Sequence, residues 1–147
     1  MMNDIDEIVN KFQEQGYKIT PQRRGIFEIL VGNESHPKAE DIYDALKDKM
    51  PDVSLATVYN TLNTLKELGM VNVLSIIEDN SIRYDPTTEV HDHLFCLGCN
   101  RIFDVERDAN ERDFPQKEIP GFQLIDRTQV TYYGYCPDCQ KMRKADK

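Results

Sequence analysis

Four cysteines, Cys96, Cys99, Cys136 and Cys139, are the whole complement of the chain, and they fall into two Cys-x-x-Cys pairs. Each pair lets a tight turn point two thiolates at one ion. Two such knuckles complete the tetrahedral all-thiolate shell of a structural zinc site. Gly98 and Pro137 are expected to supply the turn chemistry of the knuckles. A closed shell of this kind holds structure and leaves no position for a substrate. Disulfides and a redox dithiol are the competing readings. Met1 to Phe12 alternates charges with isolated apolar residues and has no secretory character, so a reducing cytoplasm is expected and disulfides are disfavoured. Neither pair opens a βαβ pattern, which sets a thioredoxin-like role behind zinc.

The three histidines form a second constellation. His36 precedes an apolar-periodic segment, while His91 and His93 flank Asp92 just before the first knuckle. On a strand, residues two apart project to the same side, so His91 and His93 can share one ion. Asp85 ends one strand-like run and Asp104 lies in another, and a suitable sheet register would bring both carboxylates to the imidazoles. Three imidazoles and two carboxylates suit ferrous or manganous ions better than thiolates do. Each member also has a plainer reading: His36 before Pro37 as a cap or surface residue, Asp85 before Pro86 as a turn pair, and alternation on an exposed edge strand for the rest.

The elements that must position these residues change character along the chain. Ile5, Ile8, Val9 and Phe12 recur at helical spacing up to Gly16. Thr20 as N-cap and Pro21 at the first helical position open a second helix that Gly32 closes. Ala39, Ile42, Tyr43, Leu46 and Met50 mark a third, stopped by Pro51, and Ser54 caps a fourth that runs to Gly69 with Leu55, Val58, Leu62 and Leu65 inward. Val71 to Ile77 and Ile82 to Tyr84 then read as a β-hairpin around Glu78–Ser81. Helices followed by a hairpin predict a winged helix-turn-helix whose last helix enters the major groove. Thr57, Tyr59, Asn60, Asn63, Thr64 and Lys66 form its polar face, suited to base edges or phosphates; a solvated bundle face is the bland alternative. Beyond a Pro86-Thr87-Thr88 linker, strands are expected at His93–Phe95, Arg101–Val105 and Gln123–Tyr135, with a helix within Glu106–Lys117. The expected organisation is α+β: a winged-helix DNA-binding domain over residues 1–85 and an α/β dimerisation and metal-binding domain over 86–147.

Composition bounds the partners. The 147 residues carry a formal net charge of -8, which argues against a general polyanion binder. Nucleic-acid contact must then come from a local face, with base readout carrying specificity. No apolar run approaches membrane-spanning length.

Over nearly its whole length the chain resembles the ferric uptake regulator family of metal-dependent transcriptional repressors. The matching stretches are Thr20-Pro-Gln-Arg23, His36-Pro-Lys-Ala-Glu-Asp-Ile-Tyr43, Ser54-Leu-Ala-Thr-Val-Tyr59, Tyr84-Asp85, His91-Asp-His93 and the two Cys-x-x-Cys pairs. The resemblance implies a cytoplasmic homodimer on a palindromic double-stranded DNA operator. It implies structural Zn2+ on the four cysteines and a regulatory Fe2+ or Mn2+ site at the domain junction on His36, Asp85, His91, His93 and Asp104. Arg23, Thr57, Tyr59, Asn60 and Asn63 are the DNA-contacting candidates. The three-His, two-Asp set and Asn60 after Tyr59, where iron and zinc sensors usually have Arg, point to the peroxide-sensing branch. That branch implies repression relieved when a ligand histidine, His36 or His91, is oxidised. Ile125-Asp-Arg127 has no His, where many relatives have one, which puts an additional regulatory site in doubt. An iron, manganese or zinc uptake regulator of the same family is the alternative. A non-haem iron oxygenase built on His91, His93 and one carboxylate is disfavoured, because five protein ligands leave little room for oxygen and substrate; no catalytic residues are assigned. A zinc-ribbon interaction module is a third reading of the second domain.

Overall fold

A computed structural model describes residues 4–89, 91–107, 119–123 and 129–145. The chain divides into two compact units, Met1–Glu89 and Val90–Lys147. The first holds α1 (Ile5–Glu14), α2 (Pro21–Leu30), α3 (Ala39–Leu46), α4 (Leu55–Glu67), β1 (Asn72–Ile76) and β2 (Ser81–Asp85). The second holds β3 (Asp92–Cys96), β4 (Ile102–Val105), β5 (Thr131–Gly134) and α5 (Pro137–Ala145).

In the first unit the expected caps form. Thr20 Oγ1 accepts the Arg23 N–H at 3.2 Å and Ser54 Oγ accepts the Thr57 N–H at 3.1 Å, each satisfying an amide the helix cannot. One face of each helix is apolar, and these faces close a core of Ile8, Phe12, Ile26, Phe27, Leu30, Ile42, Val58, Leu62 and Leu65, all fully buried. Phe12 and Phe27 meet edge-on, centroids 4.8 Å apart. Leu55, expected inward, is only half-buried, while Thr61 is buried because its hydroxyl donates to Thr57 O at 2.8 Å. The third helix ends at Leu46 instead of Met50. Lys49 N and Met50 N both close back on Leu46 O, so the chain turns tightly before Pro51.

β1 and β2 pair antiparallel, Asn72 opposite Asp85 and Ile76 opposite Ser81, forming the wing. Arg83, the one cation of the two strands, is largely buried and donates to Asp79 at 2.7 Å and to Ser81 at 2.9 Å, closing the wing turn.

The second unit is a three-stranded sheet in the order β4-β3-β5. β3 pairs antiparallel with β4 and parallel with β5. The strand expected over Gln123–Tyr135 is confined to Thr131–Gly134 among the described residues. The helix expected within Glu106–Lys117 falls mostly outside the described residues. Among the described residues, no helix is long and apolar enough to cross a membrane.

Candidate metal centres and nucleic-acid interface

The thiolate cluster is built by two turns on neighbouring elements. Cys96 ends β3, and Cys96 N donates to Arg101 O at 2.9 Å, closing the first knuckle. Cys136 and Cys139 straddle the start of α5, where Pro137 takes the first helical position. The four sulfurs all lie within 4.8 Å of one another, Cys99 and Cys136 at 4.0 Å. A tetrahedral shell with Zn–S of about 2.3 Å needs sulfurs roughly 3.8 Å apart, so the donor set fits zinc. None of the four is in a disulfide.

Electrostatics around the cluster favour the thiolate at two of the four cysteines. Burial raises the Cys96 thiol, but the amides of Cys136, Cys99 and Gly98 outweigh it and hold it down to about 6. The Cys136 N–H reaches Cys96 Sγ at 3.3 Å. Cys136 is likewise lowered, chiefly by the Cys139 amide, whereas hydrogen bonding to Cys136 pushes Cys139 up to about 12. Arg101, which sequence reasoning passed over, donates to Cys99 Sγ at 3.3 Å and to Cys136 Sγ at 3.8 Å. A guanidinium there offsets part of the negative charge that four sulfurs bring to a zinc ion. Gly98 serves close packing instead of a left-handed turn: a Cβ there would lie 2.7 Å from Cys139 Sγ.

The His/Asp residues gather in each unit separately. In the first, Tyr84 N donates to Pro37 O at 2.9 Å, which ties β2 to the loop before α3. This tie sets His36 Nε2 3.4 Å from Asp85 Oδ2, both side chains almost fully buried. The other carboxylate oxygen of Asp85 accepts the Thr87 N–H at 2.9 Å, so the turn role and the pairing with His36 hold together. His36 has φ of 53°, a left-handed backbone uncommon for a non-glycine residue. It is neither an N-cap nor exposed; Lys38 is the N-cap of α3, and its N–H is held by Asp41 at 3.0 Å.

In the second unit the β3/β4 register sets His93 opposite Asp104. His91 lies just before β3, and its ring meets that of His93 with centroids 4.5 Å apart. Both Nε2 atoms reach Asp104 Oδ1, at 3.2 Å and 3.6 Å. Asp92, between them, is turned to Arg107 at 2.8 Å and is engaged elsewhere. All three histidines of the chain thus sit against a carboxylate, and such clusters can hold a divalent cation with nitrogen and oxygen ligands.

The DNA-contacting candidates divide. Arg23, Thr57 and Asn60 line one groove of about 540 Å³, together with Lys18 from the α1–α2 loop. Sequence reasoning missed Lys18; its position just before the Thr20 cap was the available signal. Arg23 is also spent internally, donating to Lys18 O and stacking over Phe12 and Tyr17 at 5.9 and 5.8 Å. Asn60 and Asn63 are exposed one turn apart. The Tyr59 hydroxyl donates to Glu40 Oε1 at 2.6 Å. That bond raises the phenol to about 12 and holds the Glu40 carboxyl below its ordinary value.

A winged-helix unit followed by a sheet unit with a clustered thiolate cage and His/Asp pairs defines a class, the metal-dependent DNA-binding regulators. The profile of the Ferric uptake regulator family matches residues 14–132. The peroxide operon regulator of Bacillus subtilis (strain 168) is 37% identical over 140 residues, covering 95% of either chain. The solved structure of PerR from Streptococcus pyogenes, a study of peroxide sensing and gene regulation, is 32% identical with a TM-score of 0.55 over 94% of each chain. That of the Helicobacter pylori ferric uptake regulator Fur, 22% identical, shows the same fold, with a TM-score of 0.70 over 95% of each. The chain belongs to the ferric uptake regulator family, and within it resembles the peroxide-responsive branch.

Proposed function

We propose that the chain is a peroxide-responsive repressor, a homodimer that binds a palindromic operator when metal-loaded and releases it after oxidation. The observation that carries this reading is the pairing of every histidine in the chain with an aspartate, His36 with Asp85 and both His91 and His93 with Asp104. In the proposal one regulatory ion takes all five, while Cys96, Cys99, Cys136 and Cys139 hold zinc. The ligands come from both units, so the ion would fix the angle between the winged helices of the dimer. Two α4 helices reach successive major grooves only at a set spacing, and metal binding therefore favours the DNA-competent state by its differential affinity for it.

Ferrous iron held by these residues would supply the peroxide chemistry, by which an imidazole carbon of His36 or His91 would gain one peroxide oxygen and the other would leave as water. The chain's own residues decide where that happens. Asp85 and Asp104 orient the imidazoles and hold negative charge beside a cation. Burial of His36 and His93 keeps both rings from bulk water. A ring that has gained oxygen is a poorer donor, so the metal and then the operator are lost. The sequence similarity to the peroxide operon regulator supports this branch. The test is operator binding by iron- and manganese-reconstituted protein before and after peroxide, with intact-mass analysis. Loss of binding by the iron form alone, with one oxygen added to a peptide containing His36 or His91, is expected. Binding that survives peroxide in both forms, with unchanged mass, would move the assignment to a metal-uptake regulator.

A further inference from the structure

The Tyr59–Glu40 pair limits what the middle of α4 can read. Glu40 is the second residue of α3, where the helix dipole favours a negative charge. Its carboxyl is held in the ionised form by the Tyr59 hydroxyl, its own backbone amide and the Lys38 charge. An ionised carboxylate only accepts, so the proton in the 2.6 Å bond belongs to Tyr59. A phenol has one proton and lone pairs besides. With the proton committed, Tyr59 has only acceptor capacity left for a partner.

Phosphate oxygens also only accept. Tyr59 therefore has no hydrogen bond to offer the DNA backbone while Glu40 holds it, and the neighbouring carboxylate repels phosphate besides. The major-groove donors are the exocyclic amines, N6 of adenine and N4 of cytosine. We propose that Glu40 is a positioning residue that fixes Tyr59 as a hydrogen-bond acceptor, making it a reader of an adenine or cytosine amine instead of a phosphate anchor. This rests on the reading that α4 faces DNA.

The test is selection from a randomised duplex pool by the manganese-reconstituted full chain, comparing the parent with E40Q, E40A and Y59F. Glutamine keeps an acceptor for the phenol, and alanine does not. The parent and E40Q are expected to enrich adenine or cytosine at one half-site position by about three- to tenfold, the range of one neutral hydrogen bond. E40A and Y59F are expected to lose that preference while still enriching the rest of the site. Ultraviolet titration of the phenol is an independent readout: the Tyr59 ionisation, pushed up to about 12 in the parent, should fall towards its ordinary value in E40A. An unchanged preference in E40A, or one that persists in Y59F, overturns the inference alone. Failure of the parent to enrich any duplex overturns it together with the DNA-binding reading beneath it.

Discussion

Gly98→Ala should break the thiolate cage with a single methyl group. The added Cβ would lie 2.7 Å from Cys139 Sγ and 2.9 Å from Cys139 Cβ. Unstrained heavy-atom contacts sit at about 3.5–4.0 Å, so the two knuckles must part by roughly 1 Å. A metal site tolerates about 0.2 Å in its ligand distances, and the displaced partner is itself a ligand, so the strain cannot be absorbed by a free rotamer. Overpacking of this kind costs about 1–3 kcal/mol, which corresponds to a zinc affinity lower by roughly 5- to 150-fold. The assay is zinc transfer to a chromogenic chelator from parent and variant, followed by thermal unfolding with and without added zinc. Gly134→Ala is the control, because its Cβ would meet only Leu94 Cδ1 at 4.0 Å, an ordinary contact, and zinc retention should stay at the parental level. A Gly98→Ala protein that holds zinc as tightly as the parent would refute the reasoning that Gly98 is required by the approach of Cys139.

Three further expectations can be checked on the purified chain. Ser54→Ala removes the acceptor of the Thr57 N–H and should lower stability by about 1 kcal/mol. For a unit of this size that is a drop of about 4–8 °C in the melting temperature by calorimetry, and an unshifted transition would show that water replaces the cap at no cost. Asp104→Ala leaves two imidazoles without their carboxylate, so manganese affinity, followed by electron paramagnetic resonance of the free ion, should fall by about tenfold or more with zinc content unchanged. Stability should also decline at alkaline pH: the folded-state ionisation of Tyr59 lies above the ordinary 10.0, at about 12, and burial raises Tyr84 as well. The contribution is therefore whole below pH 10 and lost as the pH rises through the folded-state value, and Tyr59→Phe should flatten the denaturation profile between pH 10 and 12.

Local chemistry made part of the fold legible. The Thr20 and Ser54 caps, Pro21, most inward positions of α1 to α4 and the turn of the wing follow from nearest-neighbour physics and lie where spacing put them, Leu55 and the end of α3 being the exceptions. The cysteine pairs were equally readable, since ligand spacing within a knuckle is a short-range property. The long-range register was not. That His93 faces Asp104 depends on how β3 meets β4, and a slip of one residue would have turned His93 to the other face. Likewise, the engagement of Arg23 with Phe12 and Tyr17, and of Tyr59 with Glu40, joins residues on different elements that no periodicity connects. Gly98 illustrates a subtler gap: sequence shows that a glycine is present, and only packing shows that a neighbour's sulfur is the reason.

β3 carries His93 and, three residues later, Cys96, so one short strand serves both chemistries. Its far end is pinned by the knuckle, and its register against β4 is what sets His93 at Asp104. A newly made chain whose thiols have not yet been gathered lacks that pin, and its candidate His/Asp ligands would have no fixed address. On the proposed reading maturation has an order: the inert ion would come first and the responsive one after. Under the proposed function, a cell short of zinc would be short of competent sensors, whatever its supply of iron or manganese.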